Sequence, residues 1–361
     1  MNAPAENLDG DIGWFSRHAA SLDSSANDAD AVLGQLASIG LFEIGVPRVL
    51  GGSGGTTGDA LEAIANVAEH SLTAAFVFWG HRTFIEYLLQ TPNEILRESW
   101  LPLLLQGRFA GATGLSNAMK FLSGIEALQV SASPRGADWR LNGRLPWVTN
   151  LRKAGFIVAA AAARDNKAAP AIVAITNDMS GVTRSEDLNL IALRGGNTAA
   201  ITIDNAIIGS EQILHENARE FCPLVRPAFL GLQIGLSIGL GRIALRKARE
   251  HSHGAHSILL PRVDALSAEL EGIAGNIHEG LAGNRFIDEP SALFRIRIRL
   301  AEIVQTALGL ELDAVGGRAY LHDQSGGFER RWREGAFIPV ITPSLTQLQG
   351  ELARHTACHR Q

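Results

Sequence analysis

From Phe109 to about Leu214 the chain alternates apolar, strand-length runs with Gly, Asn and Asp, and no helix-length periodic segment lies between them. Parallel βαβ units need crossovers of about a dozen residues or more, usually helical, so that architecture is not expected here. LQVSAS (128–133) alternates in the two-residue rhythm of a half-buried strand. GADWRLNGRLPWVTN reads as a hairpin turning at Asn142-Gly143. FIVAAAAAR, from Phe156, and PAIVAITN are nearly continuous apolar runs, as strands buried on both faces require. AAITIDNAII (199–208) is a fifth strand. The pattern predicts an antiparallel sheet or small barrel.

Both flanks are helical. DADAVLGQLASIGLF places apolar residues at helical spacing, with Asp28 as its expected cap and Gly40 at its end. VPRVLGGSGGTTGDA is a glycine-rich loop, with Thr57 or Asp59 capping the next helix. LEAIANVAEHSLTAAFVFWGHRTFIEYLLQ follows as one long or two adjoining helices. PNEILRESWLPLLLQGR is another, with Pro92 near its first turn and Gly107 past its end. After Glu211, VRPAFLGLQIGLSIGLGRIALRKAREH carries several glycines inside a helix. Each destabilises a helix by about 0.8–1 kcal/mol relative to Ala, so this helix must draw its stability from close packing. Two further long amphipathic segments and a last one near 344–355 complete a four-helix bundle. The expectation is an α+β chain: an N-terminal helical domain over 1–108, a middle antiparallel β domain over 109–214, and a C-terminal helical bundle over 215–361.

With 361 residues, 46% hydrophobic and 19% charged, the chain has apolar material for a large core. A formal net charge of −5 points away from nucleic acid and anionic membranes as partners. Two cysteines, Cys222 and Cys358, make no disulfide framework, which suits a reducing cytoplasm. The acidic start MNAPAENLDGDIGW lacks a signal-peptide pattern, and FIVAAAAA is too short to span a bilayer, so membrane insertion is not expected. HSHGAHS lacks an acidic or thiolate companion at ligand spacing and reads as a helix end rather than a metal site. GGSGGTTG lacks the Lys-Ser/Thr ending of a phosphate cradle and reads as a turn.

Trp147 stands two residues before Thr149, at the end of the hairpin. Such a Trp either fills core space or lies against something flat. The order of helices, strands and helices, together with LNGRLPWVTN, resembles the acyl-CoA dehydrogenase family of flavoproteins over roughly residues 30–355. That family's hairpin ends in Trp-(Ile/Val)-Thr-(Asn/Ser), matched here by Trp147-Val148-Thr149-Asn150. Three stretches are similar to the family's N-terminal loop, sheet-ending segment and C-terminal loop: GLFEIGVPRVLGGSGGTTGDAL, LNLIALRGGNTAAITIDNAIIGSEQIL and AVGGRAYLHDQSGGFERRWREGAF. The resemblance implies FAD as cofactor, with Trp147 packed on the flavin ring, Thr149 bonded to its edge, Ser116 bonded to a flavin carbonyl, and Gly316 and Gly317 near the dinucleotide. It also implies an acyl-CoA or related substrate. An electron-transfer flavoprotein or reductase is the implied redox partner, and the implied assembly is a homo-oligomer or a heteromer with a paralogous subunit.

The chain departs from the family where proton chemistry is expected. One usual slot for the base falls on Thr342 or Pro343, the other on Val225 before Arg226, and none of these takes a proton near neutral pH. Glu334 and Glu351 are the nearest acids in sequence, and both read as solvated or ion-paired helix residues, so the base is left unknown. At positions that reach the dinucleotide, Glu250, His253, Pro261 and Asp313 replace the family's residues at Arg, Phe and two Gln positions. The resemblance therefore leaves three readings: an acyl-CoA dehydrogenase-like oxidoreductase, a two-component flavin monooxygenase on the same fold, and a non-catalytic subunit of a heteromeric dehydrogenase.

Overall fold

The computed structural model describes residues 8–165 and 168–358. Five helices come first: α1 (Leu8–Ser24), α2 (Ala29–Ser38), α3 (Thr57–His70), α4 (Leu72–Gln90) and α5 (Glu94–Leu105). Asp28 precedes α2 but its side chain makes no capping bond. The cap of α3 is Thr56, not the expected Thr57 or Asp59. Its hydroxyl accepts from Asp59 N–H (3.2 Å), while the Asp59 carboxylate accepts from Thr56 N–H (2.7 Å). This reciprocal box satisfies two otherwise orphaned donors. Asn93 caps α5, and Gly107 takes the left-handed φ of 64° just beyond its end.

The sheet comprises β1 (Ala110–Thr113), β2 (Val130–Arg135), β3 (Asp138–Val148), β4 (Phe156–Arg164), β5 (Ala171–Thr176), β6 (Val182–Arg184), β7 (Ala199–Ile208) and β8 (Ile213–His215). A short helix, α6 (Ser116–Leu122), follows β1. The strand order is β6-β7-β3-β2-β4-β5-β8, with β1 beside β4. The antiparallel expectation needs a correction: β4 runs parallel to β1 over its first half and to β2 over its last three residues. β1, β6 and β8 escape the sequence because three- and four-residue strands hold too little alternation to register. β4 and β5 are the buried apolar runs expected.

The Asn142-Gly143 turn is a second correction. The chain reverses at Gly136 (φ 64°), between β2 and β3, and Asn142-Gly143 continues through β3. A Cβ at Gly143 would sit 2.1 Å from the Gln129 carbonyl oxygen. Opposite it, β7 carries one extra residue, and Asn205 (φ 55°) donates its N–H to Asn142 Oδ1 (2.9 Å). The same residue pair that makes a tight turn also accommodates a bulge. A second register slip lies between Leu145 and Val148, with the extra residue on β3. It contains Pro146, which has no N–H to contribute, and it turns Trp147 outward, 65% exposed.

The C-terminal helices are α7 (Ala218–His251), α8 (Leu260–Ala282), α9 (Arg285–Asp288), α10 (Pro290–Val315), α11 (Phe328–Phe337) and α12 (Leu345–Cys358). α7 is long and apolar enough to cross a bilayer, yet 94% of its most apolar window is buried within the protein. Its glycines pack inside the chain rather than leaving a face for another subunit. A Cβ at Gly235 would meet the Leu61 carbonyl oxygen at 2.7 Å, and one at Gly239 the Ala65 oxygen at 2.0 Å, both on α3. Gly239→Ala should therefore force α3 and α7 apart and destabilise the protein by about 1–3 kcal/mol. Gly272→Ala on α8, where a Cβ meets nothing within 4 Å, should raise stability by up to about 1 kcal/mol. Thermal unfolding of the two variants checks the contrast.

One apolar cluster runs through all three segments, from Phe15 to Leu348. His81 on α4 ties it together. Its Nε2 donates to the Leu104 carbonyl (3.0 Å), and its Nδ1 accepts from Gly111 N–H (2.9 Å). Burial drives its pKa from 6.5 down to about 4. The unfolded chain thus binds a proton across that interval while the folded one does not. Stability should fall by about 3 kcal/mol as the pH drops from about 6.5 to about 4. Urea midpoints measured across that range should show the slope, and His81→Gln should flatten it.

Candidate active site

A cavity of about 530 Å³ opens where α4, the start of α6, the end of β3, the 190–198 loop and the segment from α11 to Thr342 meet. Its size suits a small organic ligand, and its wall is mostly apolar with a few polar groups. Trp147 (65% exposed), Ile191 (83%) and Val340 (60%) are large apolar side chains on its wall that the chain itself leaves uncovered. An exposed apolar cluster around a concavity marks a binding surface.

The polar groups are held from several directions. Thr149 Oγ1 lies 3.1 Å from Thr198 Oγ1, so two hydroxyls pair at the wall beside Trp147. Asn150, next in sequence, is left-handed (φ 64°) and fully buried. Its Nδ2 donates to the Gly111 carbonyl (2.8 Å) and its N–H to the Gly196 carbonyl (2.9 Å), fixing Thr149 between β1 and the 190–198 loop. Its Oδ1 is buried with no partner. Thr342 presents its side of the α11–α12 connection to the cavity, and its carbonyl accepts from Gln233 Nε2 on α7 (3.1 Å). Gln233 Oε1 in turn accepts from Arg297 Nε (3.1 Å), and Arg297 Nη2 donates to the Ile338 carbonyl (2.7 Å).

Glu126 is the one carboxylate among the described residues lining this cavity. Its Oε1 accepts from Asn117 Nδ2 (2.8 Å), and its Oε2 lies 3.4 Å from Lys120 Nζ. Lys120 also lines a second cavity of about 380 Å³. There Arg226, Arg354 and Glu351 face apolar side chains from α6, α7, α10 and α12. Burial lowers the Arg226 pKa, against the opposing pull of Glu351. Ser123 Oγ donates to Glu351 Oε1 (2.5 Å) across this cavity. Cys222 on its wall is buried, and burial pushes its thiol up to about 12.

Of the residues singled out in the sequence, Ser116, Trp147 and Thr149 come together at the larger cavity. Gly316 and Gly317 line neither; they lie in the 3-10 turn Gly316–Tyr320 after α10. His256 Nδ1 donates to the Ala314 carbonyl (2.8 Å), which brings the loop after α7 against that turn. Glu250 is exposed and paired with Lys247 (2.6 Å). Val225 is buried and lines neither cavity. Glu334 is wholly buried in an ion pair with Arg330 (2.8 Å), not on a solvated face, and burial raises its pKa. Sequence reasoning passed over Lys120 and Glu126, which belong to no motif; only their shared position at the cavity identifies them.

Residues 15–108 match the family model described as acyl-CoA dehydrogenase, N-terminal domain. Isovaleryl-CoA dehydrogenase of Pongo abelii is 28% identical over 190 residues, 51% of this chain and 44% of that protein, so the chain spans less than half of this relative's length. A probable acyl-CoA dehydrogenase, fadE25, of Mycobacterium leprae is 23% identical over 352 residues, covering 92% of this chain and 88% of the relative. Among solved structures, the glutaryl-coenzyme A dehydrogenase–glutaryl-CoA complex superposes with a TM-score of 0.79 at 16% identity, covering 98% of this chain and 95% of that one. Dibenzothiophene monooxygenase from Paenibacillus sp. A11-2 gives 0.76 at 18% identity, covering 97% and 96%. The matched N-terminal segment, the near full-length relative and the architecture agree: residues 15–108 form an acyl-CoA dehydrogenase N-terminal domain, and the chain as a whole has the fold of the acyl-CoA dehydrogenases.

Proposed function

We propose that the chain is a flavin-dependent oxidoreductase of the acyl-CoA dehydrogenase type, with the ring system of FAD held in the larger cavity. The observation that carries this is the exposed Trp147 beside the paired hydroxyls of Thr149 and Thr198 on a concave apolar wall. Trp147 would cover one face of a planar ring, an aromatic contact worth about 0.5–1.5 kcal/mol beyond area burial. Thr149 and Ser116 would hydrogen-bond its polar rim and so orient it. Bound flavin supplies an acceptor for a hydride. The chain's own part in α,β-desaturation is to hold an acyl thioester beside the ring and to take the proton from its α-carbon. Glu126 is the carboxylate at hand for that proton, and Lys120, Arg226 and Arg354 offer positive charge for an anionic carrier group.

Titration of FAD into the purified protein, followed by visible absorbance, tests the cofactor. Saturable perturbation of the flavin band is expected, and Trp147→Ala should weaken binding about tenfold while leaving thermal stability near wild type. Anaerobic addition of acyl-CoA thioesters should then bleach the band. No spectral change on FAD addition would sink the assignment.

A second reading, monooxygenation, is favoured by Thr342 or Pro343 and by Val225 at the two usual base positions, and by the pairing of Glu126 with Lys120. Here reduced flavin comes from a separate reductase; one oxygen atom enters the substrate and the other leaves as water. Oxygen uptake with reductase-supplied flavin, together with no bleaching by any thioester, would select it.

A further inference from the structure

The N-terminal helix reaches the cavity wall through one buried carboxylate. Asp23, in the last turn of α1, is completely buried. Its Oδ1 accepts from Leu193 N–H (3.1 Å), and its Oδ2 accepts from Arg333 Nη2 (2.7 Å) and Nε (3.1 Å). Leu193 and Arg333 both line the larger cavity. Leu193 is left-handed (φ 60°), a conformation that destabilises a non-glycine residue and persists only where its surroundings enforce it. Next to it, Gly195 lies flush on the same turn of α1: a Cβ there would meet Leu22 Cδ2 at 2.8 Å and its carbonyl oxygen at 2.9 Å.

We propose that Asp23 is a positioning residue for the flavin cavity: it locks the strained Leu193 loop and the Arg333 guanidinium into one wall, so ligand affinity depends on α1. This rests on the flavin reading of the cavity. Loss of a charge-assisted hydrogen bond to a buried group is large enough to shift affinity about tenfold or more.

The test combines two readouts in wild type, Asp23→Asn and Asp23→Ala. Hydrogen exchange of the 190–198 amides in the flavin-free protein reads the loop alone. FAD affinity and the bound absorbance spectrum read the wall. Faster exchange at 190–198 and at least tenfold weaker FAD binding are expected for Asp23→Ala. Asp23→Asn, which keeps an acceptor for Leu193 N–H, should protect the loop yet alter the bound spectrum through the unneutralised Arg333. A role confined to docking α1 would lower the melting temperature with FAD affinity at its wild-type value, and this result would overturn the proposal. So would wild-type exchange in the 190–198 loop of Asp23→Ala. If Asp23→Ala does not fold, Asp23→Asn decides: an unchanged bound spectrum overturns the proposal. Should wild type bind no flavin while Asp23→Ala still loosens the loop, the cofactor reading falls and the wall-locking role stands.

Discussion

Glu126→Gln is expected to slow reduction of bound flavin by an acyl thioester by about 10²–10⁴-fold, the usual contribution of a positioned general base. The substitution is close to isosteric. The glutamine oxygen still accepts from Asn117 Nδ2, so the loop between α6 and β2 keeps its anchor, and only the proton-accepting charge is lost. Stability should barely move, because the Lys120 pair is partly exposed and long at 3.4 Å. FAD affinity should stay near wild type, which separates loss of a base from loss of the site. Stopped-flow bleaching under anaerobic conditions measures the effect. The same variant also divides the two chemistries: if oxygen transfer from reductase-supplied flavin is the reaction, Glu126→Gln leaves it nearly intact.

The second large effect is expected at Arg297. This guanidinium is fully buried in α10, and burial drives its pKa down to about 10. It bonds an amide oxygen and a backbone carbonyl rather than a carboxylate, and through Gln233 and Ile338 it fixes the chain that carries Thr342. Arg297→Ala leaves Gln233 Oε1 and the Ile338 carbonyl unpaired in the core and opens a void the size of the side chain. The sum should be a loss of about 4 kcal/mol or more. Arg297→Met fills most of the void but pairs nothing, and should lose about 2–3 kcal/mol. Chemical denaturation measures both, and FAD titration of Arg297→Met shows whether the Thr342 wall has shifted.

The architecture was readable because its signals are long. FIVAAAAAR and PAIVAITN announce buried strands, AAITIDNAII a partly exposed one, and the glycines of α7 announce close helix contact, although not that α3 is the neighbour. Asn142-Gly143 misled because positive φ serves a bulge as well as a turn, and the deciding contact, Gln129, is distant in neither space nor sequence but stands just before β2, the strand alongside. At the candidate site, Trp147 and Thr149 were visible as a contiguous motif. Glu126, Lys120 and Asp23 were not. Each is an ordinary charged residue until the fold sets it against a cavity or buries it, and no periodicity records that event.

The backbone contact between Gly239 and the Ala65 carbonyl bears on how the protein comes into being. The segment over 15–108 leaves the ribosome before α7, so α3 meets the surface that covers it only once α7 has been synthesised. Until then its apolar side stays open to solvent and to other nascent chains, the condition under which larger proteins aggregate or recruit chaperones. Expressed alone, this segment should behave as an incomplete module, gaining a fixed tertiary structure only when the C-terminal helices are supplied.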